Sequence, residues 1–178
     1  AGKYKVKLRV LSSFTDVNST DMGTLITFEE DETMEQAIIS GIAFNRDEAK
    51  ITVMGVPDKP GIAYSILGPV ADANIDVDMI IQNASSDGTT DFSFTVHRNE
   101  YKRALQVLET RVKGEIGARA IVGDDRIAKV SLVGIGMRTH AGIASLMFKT
   151  LAEERINIQM ISTSEIKTSV VEIGRAHV

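Results

Sequence analysis

The chain has no cysteine and no tryptophan, and only three prolines in 178 residues. Without cysteine there is no disulfide framework, no thiolate metal ligand and no thiol nucleophile. No apolar run approaches the length that crosses a bilayer. The opening AGKYKVKLRV alternates lysine with valine and leucine, which reads as neither a signal peptide nor a transit helix. Basic residues are outnumbered, 20 Lys and Arg against 24 Asp and Glu, and the net charge of -4 gives nucleic acid no electrostatic footing. These absences point to a cytoplasmic protein without a membrane or nucleic-acid partner. What is present is ordinary for a globular chain: 43% hydrophobic and 25% charged residues, enough to bury one sizeable core or two small ones.

The chain repeats itself. Ala49-Lys50 recurs as Ala128-Lys129, Gly55 as Gly134, and Gly61-Ile62-Ala63 as Gly142-Ile143-Ala144. Further on, Ile75-Asp76-Val77-Asp78-Met79-Ile80 recurs as Ile156-Asn157-Ile158-Gln159-Met160-Ile161. The period is about 80 residues, the size of a small domain rather than of a solenoid unit.

Both copies share one grammar. Ile51, Val53 and Gly55 alternate as in a strand, and the loop VPDKPG ends it. From Gly61, Ile62, Ile66, Leu67 and Val70 recur at helical spacing, with Pro60 where a first turn tolerates proline, and Ala73-Asn74 stops the helix. Val77, Met79 and Ile81 predict a second strand, Asp87-Gly88 a turn, and Phe92, Phe94 and Val96 a third strand. Tyr101, Ala104, Leu105, Leu108 and Val112 mark a second amphipathic helix, and Ala118 to Val122 a fourth strand. The order βαββαβ is that of a ferredoxin-like α+β sandwich. The second copy stops near Val171, short of its last helix and strand, while a spare strand, Ile38 to Phe44, lies upstream of the first copy. The expectation is that this strand completes the second sheet, so that the first module (46–123) is inserted within the second (36–45 plus 124–178). Residues 1–35 fit neither copy; Val6, Leu8 and Val10 and the run Gly23 to Thr27 suggest two strands around a polar, turn-rich loop.

The units that begin with KPG in one copy and HAG in the other resemble the ACT domain of amino-acid-metabolism enzymes. The strings ISGIAFNRDEAKITV, DMIIQN, TTDFSFTV, IAKVSLVGIGM and MISTSEIK are similar to the regulatory region of aspartate kinases across residues 37 to 171. KVKLRVLSSF and GTLIT are similar to the end of that family's kinase domain and its linker. The resemblance implies a tandem ACT regulatory region, with no catalytic residues of its own, that responds to lysine and/or threonine. ATP and Mg are implied only for the kinase domain, joined in cis or as a separate subunit, since the KYGG-type motif and ATP site are missing here. No cofactor is expected in this part. The family continues after the SVV strand with an acidic turn and a helix, where this chain reads EIGRAHV. The second module is therefore expected to be incomplete at its C-terminus.

A helix N-terminus after Asp58-Lys59-Pro60-Gly61 favours an anion such as an α-carboxylate, and Gly61 permits close approach. The expected contacts of the first copy are Asp58, Lys59, Pro60, Gly61, Ile62, Ala63, Asp76, Val77, Asp78 and Gln82. Asp58, Asp76 or Asp78 could balance the ligand ammonium, and Gln82 offers both a donor and an acceptor. The simpler reading is that Asp58 and Pro60 merely cap and start the helix. In the second copy the counterparts are Ile143, Ala144, Asn157, Ile158, Ser164 and Glu165. Glu165 suits a lysine ammonium, or is simply an exposed turn carboxylate. The resemblance places such sites between modules of two chains, so self-association through the modules is expected.

Other chemistry finds little support. His97, His140 and His177 lack metal-ligand spacing, Gly134 to Gly136 lacks the rest of a dinucleotide fingerprint, and Met79, Met147 and Met160 fall on apolar faces. An RNA-recognition module has the same βαββαβ order, but it needs aromatics exposed on the sheet. Phe92 and Phe94 are in phase and are expected to pack under the helices. A stand-alone enzyme would need an acid–base pair that does not appear.

Overall fold

The computed structural model describes residues 4, 6–14, 23–26, 39–134 and 142–173, in two units, 1–36 and 37–178. In the first, β1 (Leu8–Val10) pairs antiparallel with β2 (Thr24–Ile26), Leu8 opposite Ile26. These are the two strands read from the alternation of Val6, Leu8 and Val10 and from the Gly23 run.

Two long strands form the middle of the second unit. β3 (Gly41–Pro57) runs antiparallel to β6 (Ala120–Val133), from Gly41 opposite Val133 to Met54 opposite Ala120. The sequence reads here as four short strands, and they fuse in pairs. The polar tract from Asn45 to Lys50 carries register shifts rather than a strand end, and the Asp47 N–H donates to Asn45 Oδ1 at 2.9 Å within it. A bulge absorbs the extra residues because the partner strand continues opposite them.

The C-terminal part of β3 also pairs with β5 (Thr89–His97), Ile51 opposite Phe94, and β4 (Val77–Ala84) closes that side. The other end of β6 pairs with β8 (Lys167–Ile173), and β7 (Ile158–Thr163) closes the far side. The result is one six-stranded sheet in the order β4-β5-β3-β6-β8-β7. The upstream strand joins the second copy directly, Ile42 opposite Leu132 and Phe44 opposite Val130. Two ACT-like modules, the first set within the second, therefore share their central strands.

Each copy starts a helix after its first strand: α1 (Ile62–Asp72) and α4 (Ile143–Glu153). Both stop in the same way. Asn74 and Arg155 take left-handed conformations, φ 54° and 58°, and the next N–H reaches back to satisfy an orphan carbonyl (Ile75 to Val70, 3.2 Å; Ile156 to Leu151, 2.8 Å). The second helix of the first copy is segmented. A 3₁₀ turn at Arg98–Glu100 leads into α2 (Tyr101–Val107), a π-type turn (Leu108–Val112) and α3 (Lys113–Ile116). The wider turn lets Leu108, Val112 and Ile116, spaced four apart, all remain buried.

These helices cover one face of the first copy's strands. Ile51, Val53, Ile66, Val70, Phe92, Phe94 and Leu108 form its core, with the two phenylalanine rings 6.2 Å apart. The aromatics are thus inside, and no base-stacking platform forms from them. The second copy's core is smaller, Leu132, Met147 and Val170. On that half of the sheet Ile42 and Phe44 stay 68% exposed. Among the described residues, only α4 supplies that copy with a helix. The face away from the helices curls inward. There Met79 and its counterpart Met160 pack with Ile127 and Val171, which brings the outer strands β4 and β7 together.

Candidate functional site

No side chain of the first-copy loop caps the helix it leads into. α1 begins at Gly61, φ 91°. Pro60 lies one position before that glycine, in a turn closed by the Ile62 N–H to the Lys59 carbonyl at 3.2 Å. The Asp58 N–H is tied to the Gly88 carbonyl at 3.0 Å, which anchors the loop to the β4–β5 hairpin and leaves its exposed carboxylate outside the helix. Asp58, Lys59, Pro60, Gly61, Ile62 and Ala63 therefore gather at one end of the module. Gln82 is opposite Phe92, which is opposite Val53, and directly paired residues share a face, so Gln82 lies on the helix side of the outer strand.

Asp76, Val77 and Asp78 do not join that group. They stand at the other end of β4, and Asp78 is four residues from Gln82, about 13 Å along the strand. The Asp78 carboxylate is already engaged, accepting from Lys129 Nζ, which also pairs with Glu48 Oε1. Asn45 Nδ2 donates to the same Glu48 oxygen at 3.1 Å.

The second copy repeats the helix start: Gly142 has φ 107°, and Ile143 and Ala144 follow in an uncapped first turn. The residues His140 and Thr139 before it lie outside the described residues, as does His177. Asn157 precedes β7 and Ile158 opens it, whereas Ser164 and Glu165 form the turn at its far end, where the Ser164 N–H donates to the Lys167 carbonyl at 2.7 Å. Between the copies, Ile81, Asn83 and Ser93 face Ile158, Gln159, Met160 and Ile161 across a cavity of about 340 Å³.

The sequence reading missed the lysines of the repeat. Lys50 donates to Gln159 of the other copy, and its repeat partner Lys129 reaches Asp78, the equivalent of Gln159, in return. Thr52 with Ser93 (2.8 Å) and Ser131 with Ser169 (2.7 Å) form a matching pair of hydroxyl contacts. The signal was present, because a lysine recurs in the middle of both first strands, but only the folded sheet gives it a partner.

Burial works against ionisation of Asp78, yet the hydrogen bond and charge of Lys129, aided by Lys167, outweigh it and hold the carboxyl below its ordinary range. Burial alone would lower Lys129; its bonds to Asp78 and Glu48 prevail and raise it. A depressed acid contributes stability above its unfolded pKa, near 4, and loses it as pH falls through the folded value. A raised lysine contributes below its unfolded pKa, near 10.4, and loses it as pH rises through the folded value. The urea midpoint should thus be flat between about pH 5 and 9 and fall on both sides, with the acid limb shallower in Asp78→Asn. An acid limb of equal slope in that variant would remove Asp78 from the account.

Among the described residues no cluster of His, Asp or Glu is arranged to hold a metal ion, and no helix is long and apolar enough to cross a membrane.

The ACT domain family model matches residues 51–112 and 130–171. An aspartate kinase of Pseudomonas fluorescens is 67% identical over 171 residues, which are 96% of this chain and 40% of that protein. The chain thus spans about 40% of the length of the curated relatives it matches. Among solved structures, the aspartokinase alpha and beta subunits align with TM-score 0.72 and 62% identity, over 77% of this chain and 89% of that one. The ligand-free regulatory subunit of aspartate kinase from Thermus thermophilus aligns with TM-score 0.72 and 37% identity, over 78% and 90%.

Proposed function

The chain belongs to the ACT domain family as the regulatory region of an aspartate kinase, and from that premise we propose that it senses free lysine and/or threonine and passes their binding to a kinase domain as feedback inhibition. The observation that carries this reading is the pair of uncapped helix starts, each entered through a left-handed glycine, Gly61 and Gly142. Such a start offers free backbone N–H groups and a positive dipole end to an α-carboxylate. Asp58 and Gln82 then hold the ligand's ammonium and side chain in the first copy. Ile143 and Ala144 take the equivalent place in the second, with Asn157, Ile158, Ser164 and Glu165 as the further contacts; of these Ile158 lines the cavity between the copies. Asp76 and Val77 support the ligand's strand rather than touch it.

Transmission to the kinase requires only about 1–3 kcal/mol of coupling. The kinase part, in cis or as a separate subunit, supplies the ATP and Mg chemistry. The outer strands β4 and β7 leave edges open, and edges of this kind favour symmetric association of two chains.

Calorimetric titration with threonine and with lysine tests the proposal. Charge-assisted hydrogen bonds are worth roughly 1.5–3 kcal/mol, so Asp58→Ala and Gln82→Ala should each weaken binding by about tenfold or more. Melting temperature should hardly move in Asp58→Ala, because Asp58 caps no helix. An unchanged affinity, or a chain that binds neither amino acid, would overturn the reading.

A further inference from the structure

Near the end of β3 its ladder with β5 takes in one extra residue. Val53 is opposite Phe92 and Val56 is opposite Thr90, so β3 advances three positions while β5 advances two. The bulge turns on Gly55, φ 62°, where a Cβ would meet the Arg119 side chain at 3.1 Å. A bulged residue has no ladder partner for its N–H. Here the half-buried Asp91 supplies one: its Oδ1 accepts the Gly55 N–H at 2.7 Å. An ionised acceptor makes this one of the stronger hydrogen bonds a backbone N–H can form.

The consequence reaches the loop three residues on. The extra residue fixes which side chains of β3 turn inward: Val53 and Val56 are both buried, and a slip by one would reverse their faces. Beyond it Pro57 stands opposite Thr89, and the Asp58 N–H donates to the Gly88 carbonyl at 3.0 Å. The turn that holds Gly88 is itself pinned, since Asp87 Oδ1 accepts from the Thr89 N–H at 3.0 Å and from its hydroxyl at 2.7 Å. Gly55 and Asp58 are therefore two fastenings of the same strand end to the same hairpin, and the loop that leads to Gly61 and α1 starts from them.

The second copy is fastened differently. By the register Lys167 stands where Asp91 does, and Gly134, the counterpart of Gly55, donates its N–H to the Ile166 carbonyl at 2.9 Å. The main chain does there what a side chain does in the first copy.

We infer that Asp91 is the positioning residue of the first-copy site: it touches no ligand, but through Gly55 it sets where the Asp58-to-Gly61 loop begins and so where the open helix start stands. This deepens the amino-acid-sensing reading, on which its choice of ligand rests; the placement of the loop does not depend on that reading.

The test titrates threonine and lysine into the parent, Asp91→Ala and Asp91→Asn, well below their melting temperatures. Amide exchange of Asp58 and Gly134 is followed by NMR in the same chains without ligand. The binding that Asp58→Ala weakens should fall about fivefold or more in Asp91→Ala, the equivalent of one lost hydrogen bond to the ligand. It should stay within about twofold of the parent in Asp91→Asn, whose side-chain oxygen still accepts from Gly55. Asp58 should exchange about fivefold faster in Asp91→Ala relative to Gly134, which reports general destabilisation. A lower melting temperature with unchanged affinity, and with Asp58 and Gly134 exchanging in step, is what a purely structural aspartate gives, and it overturns the inference. An Asp91→Asn variant as impaired as Asp91→Ala overturns it equally. Should Asp91→Ala not fold, Asp91→Val, a better strand former that also lacks an acceptor, carries the same measurements. A parent that binds neither amino acid, or binding that Asp58→Ala leaves unchanged, counts against the sensing reading instead, and the exchange measurement still decides the role of Asp91.

Discussion

Phe94→Ala should lower stability by about 3–5 kcal/mol. The ring is fully buried between the sheet and the first copy's helices, beside Phe92 and above Ile51, which is opposite it on β3. Removing it forfeits the transfer free energy of an aromatic side chain and leaves a void that packed β-branched neighbours fill poorly. For a chain of this size that should shift the melting temperature by roughly 10 °C, read by calorimetry. Phe44→Ala is the control: its ring is 68% exposed beside Arg46, so the change should stay within about 0.5 kcal/mol. Comparable losses for both variants would contradict the placement of the core on the helix side of the first copy.

Lys129→Met should cost about 3 kcal/mol in urea unfolding, because it strands the Glu48 carboxylate in the interior with its neutralising cation gone. Asp78 is half exposed and recovers solvation, which keeps the loss at the lower end for a broken buried pair. Adding Glu48→Met should restore much of the stability, since an apolar pair of similar volume has no desolvation cost to offset. Lys50→Met provides the contrast: its amine meets the Gln159 amide oxygen and the more accessible Asp124 carboxylate opposite it rather than a buried one, so the loss should be about 1 kcal/mol. The parent, Lys129→Met, Glu48→Met and the double variant form a cycle whose coupling energy reports on the Lys129–Glu48 pair. If Lys129→Met and Lys50→Met cost the same, the buried carboxylate is not what makes Lys129 matter.

Several features were legible before any coordinates. The repeat Gly61-Ile62-Ala63 with Gly142-Ile143-Ala144 located both helix starts, and the in-phase Phe92 and Phe94 located the core face. The spare upstream strand foretold its own pairing, since a strand pattern without a neighbour must find an edge. All of these are local: period, turn residues and glycine conformation act within a few positions of each other.

Tertiary structure decided the rest, because it depends on what lies opposite. Whether Asn45 to Lys50 breaks a strand or bulges was set by β6 continuing alongside it. Which group Asp78 pairs with was set by Lys129, 51 residues further along the chain and brought to it by the curl of the sheet. A carboxylate carries the same letters whether it faces water, a ligand or an ammonium group of its own chain. Its partner is chosen by sheet register and curvature, which sum over many residues and appear at none of them singly. The sequence by itself determined a βαββ unit present twice, completed to βαββαβ in the first copy, and the glycines that open their first helices. Only the folded sheet determined that the copies share central strands and lend each other a lysine across the seam.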